Sequence, residues 1–227
     1  MSEIGDAADI EAAKRPEGHG GRPAAGEDPV KREQILDGAH RVFMRMGFDA
    51  SSMNDITREA GVSKGTLYVY FRNKEDLFAA MVQRQKARVM ERLQEALGDK
   101  PLAEALHDFG TAFAGYILSD GAIRAQRIVI GVLERMPDVT SSFFKVGPNY
   151  GPALLARFLD RQVKAGMLKP IDDTVWVARQ FGDLCLAGLY RQRLFGEMRE
   201  APSAELIERN VEAAVRIFLI AYGTGKA

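Results

Sequence analysis

The chain has 227 residues, of which 46% are apolar and 27% charged, and its 31 basic and 31 acidic side chains cancel. That length fits one large domain or two small ones with a core of useful size, and a lone cysteine, Cys185, excludes an internal disulfide and suits a reducing cytoplasm. The apolar stretch at 217–222 is too short to span a bilayer, and His19, His40 and His107 lack the spacing of a metal site, so neither a membrane partner nor a metal or other cofactor is expected.

Zero net charge argues at first against a nucleic-acid partner, but the charge is unevenly spread. Residues 1–30 carry three basic and seven acidic side chains, a net of −4, whereas residues 31–74 carry eight basic and five acidic, a net of +3. Local charge is what a phosphate backbone meets. Residues 1–29, rich in Gly, Pro, Ala and acids, lack both periodicity and the apolar run of a signal peptide, and read as a disordered tail.

From Val30 onward the pattern is helical, with no two-residue alternation, so an all-α fold is expected. A first helix over 30–46 carries one apolar stripe of Ile35, Leu36, Ala39, Val42, Phe43 and Met46, then Gly47 as its C-terminal cap and Phe48 folding back over the end. Ser52 and Asp55 have the spacing of a capping box for a second helix, with Ile56 and Ala60 facing inward and Gly61 stopping it. Ser63 caps a short third helix over 64–71. Asn73 caps a fourth that opens with Glu75 and Asp76 and runs roughly 24 residues, or about 36 Å, to Leu97. Further helices are expected over 102–118, 122–135, 138–167 (kinked or split at Gly147-Pro148), 172–196 and 203–222, with breaks at Gly121, Pro137, Gly166 with Pro170, and Pro202. The divisions are a tail (1–29), a DNA-binding domain (30–77) and an effector-binding and dimerisation domain (78–227).

Two short helices joined by a tight turn at Gly61-Val62 have the layout of a helix-turn-helix. The third helix would enter the groove. Gly65 costs about 1 kcal/mol relative to Ala in a helix, which is intelligible if a backbone must approach another surface there. Thr66 suits a base edge or a thymine methyl, and Lys64, Tyr68 and Tyr70 suit phosphates. Lys74 opposes the dipole of the fourth helix, and a phosphate partner would account for it. Leu67 and Phe71 read as core.

The segments Arg32-Glu-Gln-Ile-Leu-Asp-Gly-Ala39, Phe43 through Gly47-Phe48, Ser51-Ser52-Met53-Asn-Asp-Ile56 and above all Ala60-Gly-Val-Ser-Lys-Gly-Thr-Leu-Tyr-Val-Tyr-Phe-Arg-Asn-Lys-Glu-Asp-Leu77 resemble the N-terminal domain of TetR/AcrR-family regulators. The likeness covers about 47 residues without a gap. It implies an all-α homodimer with one helix-turn-helix per subunit, and DNA contacts from Ser52, Lys64, Gly65, Thr66, Tyr68, Tyr70 and Lys74. Gly38 departs from the family's more common Ala at a cost in helix propensity. Residues 124–196 more loosely resemble the C-terminal domain of AefR-like members, which implies an effector pocket and a dimer interface.

Phe109, Phe113, Tyr116, Trp176, Phe181 and Tyr190 lie on successive helices and fit either a cavity lining or a packed core, with Arg127 and Cys185 as polar accents. A buried Arg127 would need a partner or a ligand. On the last helices Leu206, Val211, Ala214, Val215, Phe218, Leu219 and Tyr222 exceed one stripe, and Ala187, Gly188 and Ala214 permit close approach, so these form the expected four-helix seam between two subunits. The function expected is a cytoplasmic homodimeric repressor, released from a palindromic operator by a small, largely apolar effector. The alternative is a ligand-independent regulator or helical adaptor, and an adaptor would have no need of the Ser63–Tyr68 run. An enzyme would need a nucleophile, acid–base pair or metal cluster, which the sequence does not display.

Overall fold

The computed structural model describes residues 28–132, 134 and 150–225. These form ten α-helices: α1 (Pro29–Met46), α2 (Met53–Ala60), α3 (Lys64–Tyr70), α4 (Lys74–Ala96), α5 (Leu102–Ile117), α6 (Asp120–Val132), α7 (Tyr150–Lys164), α8 (Thr174–Cys185), α9 (Leu189–Phe195) and α10 (Ala204–Tyr222). Strand-like pairing among the described residues is confined to one isolated bridge between Leu168 and Gly223, which fastens the α7–α8 connection to the end of α10. The expected kink at Gly147-Pro148 and the break at Pro137 lie outside the described residues.

The caps that start the first four helices are local. Asp28 accepts from the Val30 and Lys31 amides, Ser52 and Asp55 form the reciprocal capping box, Ser63 accepts from Thr66, and Asn73 accepts from Asp76. Each satisfies amides that a helix start leaves without partners. Gly61 adopts φ +63° and ψ +38°, a left-handed conformation that is costly with a Cβ, and it turns the chain from α2 toward α3.

Two apolar clusters share α4. The first joins Ile35, Leu36, Val42 and Phe43 of α1 to Ile56, Leu67 and Phe71, and is completed by Leu77, Phe78 and Met81 of α4 and Val129 of α6. At its centre Phe43, Phe48 and Phe78 sit with ring centroids 5.3–5.6 Å apart, Phe48 having folded back over the end of α1. The second cluster takes Leu93, Ala96 and Leu97 from the far end of α4 and packs them with α5, α7, α8 and α10.

Gly38 marks where α1 and α2 cross. A Cβ built there would lie 2.6 Å from the Ala60 Cβ and 2.8 Å from its Cα. The glycine is therefore required by packing, and its helix-propensity penalty is the cost of bringing two backbones together. In the second cluster Gly110 plays the same part, its missing Cβ leaving room for Val211 at 2.7 Å and for the Cys185 sulfur at 3.0 Å.

The single helix expected over 172–196 is two. Gly188 takes φ +77°, and the Asn210 side chain of α10 donates to the Ala187 carbonyl freed by the break, at 2.8 Å. The break expected at Gly121 falls two residues earlier, at Leu118-Ser119, since α5 ends at Ile117 and α6 starts at Asp120. Arg127 is exposed, and the buried cation among the described residues is Arg193, at 1% exposure. Its guanidinium donates to the Leu118 carbonyl (3.0 Å), the Met198 and Arg199 carbonyls (3.1 and 2.6 Å) and the Asp120 carboxylate (2.5 Å), tying the α5–α6 corner to the α9–α10 connection.

Gly38→Ala is expected to destabilise the protein by about 1–3 kcal/mol through overpacking, read from denaturant unfolding, and adding Ala60→Gly should recover part of the loss. Burial pushes the Cys185 thiol from an ordinary value of 9.0 up to about 12. The stability this contributes is fully present below pH 9 and is lost as the pH rises toward 12. At pH 8 a thiol reagent should therefore modify Cys185 only as fast as the protein opens. Labelling at the rate of a free cysteine would contradict this burial.

Candidate nucleic-acid interface

The helix-turn-helix is built on α1. Glu59 near the end of α2 receives Arg41 at 2.7 Å and Arg45 at 3.1 Å, both from α1, and these guanidinia hold its carboxyl below the usual carboxylate range. Gln34 of α1 donates to the Ala60 carbonyl at 2.7 Å, satisfying the C-terminus of α2. Val62 donates its amide to Thr57 at 3.1 Å and rests half-buried against the first cluster. From that turn α3 is anchored by Leu67, which is fully buried.

The seven residues expected at DNA are placed differently. Lys64, Gly65 and Tyr68 lie exposed on the outer side of α3, Tyr68 at 45%. Space beside Gly65 is open, with only the Ser63 hydroxyl within 4 Å of where its Cβ would be, at 3.8 Å. Thr66 is half-buried and shares a 2.8 Å hydrogen bond with the Ser63 hydroxyl. Ser52 is exposed at the start of α2, and its hydroxyl donates to the Asp55 carboxylate at 2.5 Å. That bond, together with Arg58, holds the Asp55 carboxyl low.

Tyr70 and Lys74 face the protein. The Tyr70 hydroxyl donates to the Asp28 carbonyl at 3.2 Å, closing the end of α3 onto the start of α1. The Lys74 ammonium donates to the carbonyls of Phe48 (2.6 Å) and Ser51 (2.9 Å) and lies 4.4 Å from the centre of the Phe48 ring. Its position against the α4 dipole is thus accounted for by these carbonyls and by the ring face, which attracts cations. It does not require a phosphate. Sequence reasoning misses Val69, which is 52% exposed on α3. The available signal is a β-branched apolar residue off the Leu67 side of a short helix.

Among the residues expected around an effector, Phe109, Phe113, Phe181 and Cys185 come together in the second cluster. Phe113 is stacked on Phe109 at 6.0 Å and sits where Cβ atoms on Gly151 and Gly182 would press on its ring. Tyr116, on the same helix, is half-buried, and burial pushes its phenol up. Two expectations are corrected. Trp176 is 57% exposed and lines no interior of its own subunit, because it lies on the outer side of α8. Arg127 binds the carbonyls of Arg193 (2.6 Å) and Leu194 (2.9 Å), which fixes α6 to the end of α9.

The residues assigned to a subunit seam divide in the same way. Val211, Ala214, Val215 and Phe218 are buried in the chain's own core, so they are not the surface of a seam. Leu206 and Tyr222 are half-buried, and Ala187 is exposed at the α8–α9 break. The outward apolar residues of α8 and α10 are instead Val175, Trp176, Ile217 and Ile220, the last at 80% exposure. Between the two helices runs a groove of roughly 470 Å³, floored by Phe181 and Phe218 and walled by Gln180, Leu184, Ile217 and Tyr222.

Two family models match the chain. One, of bacterial regulatory proteins of the tetR family, covers residues 35–81, and the other, the C-terminal domain of AefR-like transcriptional repressors, covers residues 104–224. The chain is 35% identical over 74 residues to a fatty acid metabolism regulator protein of Bacillus subtilis, a stretch that is 33% of this chain and 38% of that protein. It therefore spans less than half the length of that relative. It is 28% identical over 193 residues to an HTH-type transcriptional repressor of Mycobacterium tuberculosis, covering 83% of this chain and 98% of the relative. Its fold is that of a TetR-family regulator from Mesorhizobium loti (TM-score 0.79, 22% identity, 86% of this chain and 98% of that one). The flavonoid-responsive regulator FrrA superposes with a TM-score of 0.69 at 30% identity over 88% of this chain and 100% of that one. These relatives are transcriptional regulators rather than enzymes. With one model over the helix-turn-helix and another over more than half of the chain, the protein belongs to the TetR family of bacterial transcriptional regulators and has an AefR-like C-terminal domain.

Proposed function

We propose that the protein is a homodimeric repressor that sets the α3 helices of its two subunits into successive major grooves of a palindromic operator and is released by a small, largely apolar effector. The observation that carries this reading is the division of labour on α3. Leu67 is buried and Tyr70 is bonded inward, while Lys64, Gly65 and Tyr68 are left facing solvent beside an open backbone. That is the composition of a surface that meets phosphates and lets a backbone approach base edges.

Dimerisation through α8 and α10 is supported by the apolar side chains those helices leave outside, Trp176, Ile217 and Ile220. An isologous contact would lay each pair against its copy. The second cluster, rich in aromatic rings, suits an apolar ligand. The relatives named for fatty acid metabolism and flavonoid response point the same way. Release works through α4, which carries Phe78 into the first cluster and Leu93 into the second. An effector that binds better when α4 is tilted lowers operator affinity by that difference. No described helix is long and apolar enough to cross a membrane, in keeping with a cytoplasmic regulator.

Binding to a palindromic duplex should fall steeply as salt rises. Lys64→Ala and Tyr68→Ala should each weaken binding at least ten-fold, the effect of losing about 1.4 kcal/mol, without moving the thermal midpoint. Fluorescence anisotropy with a labelled duplex measures this, and salt-independent binding or unchanged affinity in both variants contradicts the reading. In sedimentation velocity the wild type should run as a dimer and Ile217→Asp with Ile220→Asp as a folded monomer. A dimer surviving both substitutions places the seam elsewhere.

A further inference from the structure

We infer that Val69 is a base-reading residue of this regulator and that it selects a thymine, by its C5-methyl, in each half-site. The inference rests on the proposed insertion of α3 into the major groove and specifies what that helix reads.

Val69 does not pack within its own subunit in the way its chemistry favours. It is an aliphatic side chain at 52% exposure on a seven-residue helix whose one buried member is Leu67. A β-branched residue in a helix gives up side-chain freedom, and here it does so with little apolar burial in return. The polar side chains around it are committed or differently placed. The Thr66 hydroxyl is bonded to Ser63 and the Tyr70 hydroxyl to Asp28. Lys64 and Tyr68, spaced i and i+4, form one stripe, and Gly65 and Val69, also i and i+4, form the adjacent one.

The second stripe therefore pairs a notch with an apolar knob. Space beside Gly65 is open, so another surface can come against the backbone, and one turn further on the isopropyl group of Val69 stands out from it. In the major groove base edges present donors, acceptors and a single kind of apolar group, the thymine methyl. Set against a donor or acceptor, Val69 would leave that group desolvated and unpaired. Set against a thymine methyl it buries two apolar groups at once. Thr66, the sequence-based candidate for a methyl contact, is half-buried and hydrogen-bonded at its hydroxyl, which leaves Val69 as the exposed aliphatic group of the helix.

Duplexes selected from a random-sequence library with the full-length protein supply the test substrate. Each thymine of the selected duplex is then replaced by uracil, which removes only the C5-methyl. One thymine per half-site should be found at which replacement weakens wild-type binding about four-fold, the worth of one buried methyl group. Val69→Ala should lose most of the difference between the thymine and uracil duplexes while keeping the wild-type thermal midpoint, and Val69→Thr, which retains one of the two γ-methyls, should keep more of it. Uracil tolerated by the wild type at every position, or an undiminished penalty in Val69→Ala, overturns the inference while leaving DNA binding by α3 standing. Failure to select any duplex overturns both.

Discussion

The backbones of α1 and α2 meet at Gly38 and Ala60 with only the Ala60 methyl group between them, and the direction in which α3 points depends on that contact. Everything nearby holds the crossing as found. Glu59 gathers two arginines from α1, Gln34 closes the end of α2, and Lys74 clamps the carbonyls of the connection from α1 to α2. The left-handed turn at Gly61 then sets α3 on α2, so the outward side of α3 has a fixed orientation relative to α1. A crossing this close leaves little room for adjustment, because a packed interior resists even small changes in volume.

The helix α1 is in turn held by both helices that reach it from the C-terminal half. Arg84 of α4, at 12% side-chain exposure, bridges Glu33 and Asp37, and Arg124 of α6 donates to the Met44 carbonyl at the end of α1. One turn before Arg124, the first residue of α6, Asp120, is tied down by the buried guanidinium of Arg193. A buried charge is tolerable only when its hydrogen bonds are met, and Arg193 meets them with acceptors from both the α5–α6 corner and the α9–α10 connection. In the proposed mechanism, a shift in the second cluster therefore reaches α1 along two rigid arms, α4 and α6.

What the sequence shows and what it hides divide along the range of the forces involved. The caps at Ser52, Ser63 and Asn73 and the stop at Gly61 are short-range features, so the bounds of α2, α3 and the start of α4 are legible in the residues themselves. The split between α8 and α9 has a local signal in Gly188, but the Ala187 carbonyl it frees is met by Asn210, far away in the chain. Periodicity identifies α10 as apolar on more than one side without saying which side meets its own subunit. Val211 and Phe218 turn inward, and Ile217 and Ile220 remain outside. On α3, residue type suggests Lys64, Gly65 and Tyr68 as outward groups. Lys74 and Tyr70 have the same chemistry but are taken up by carbonyls that only the folded chain brings near. Val69 escapes notice because an apolar residue in a helix is ordinarily assigned to core.

If the outward side of α3 enters the major groove twice, once from each subunit, it must cover major-groove atoms in two places. Dimethyl sulfate probing of guanine N7, one such atom, in a complex of the full-length protein with its selected duplex measures this directly. Two protected blocks whose centres lie about 10 base pairs apart, or a small multiple of that spacing, are predicted. A single block, or guanines as reactive in the complex as in free DNA, would contradict it.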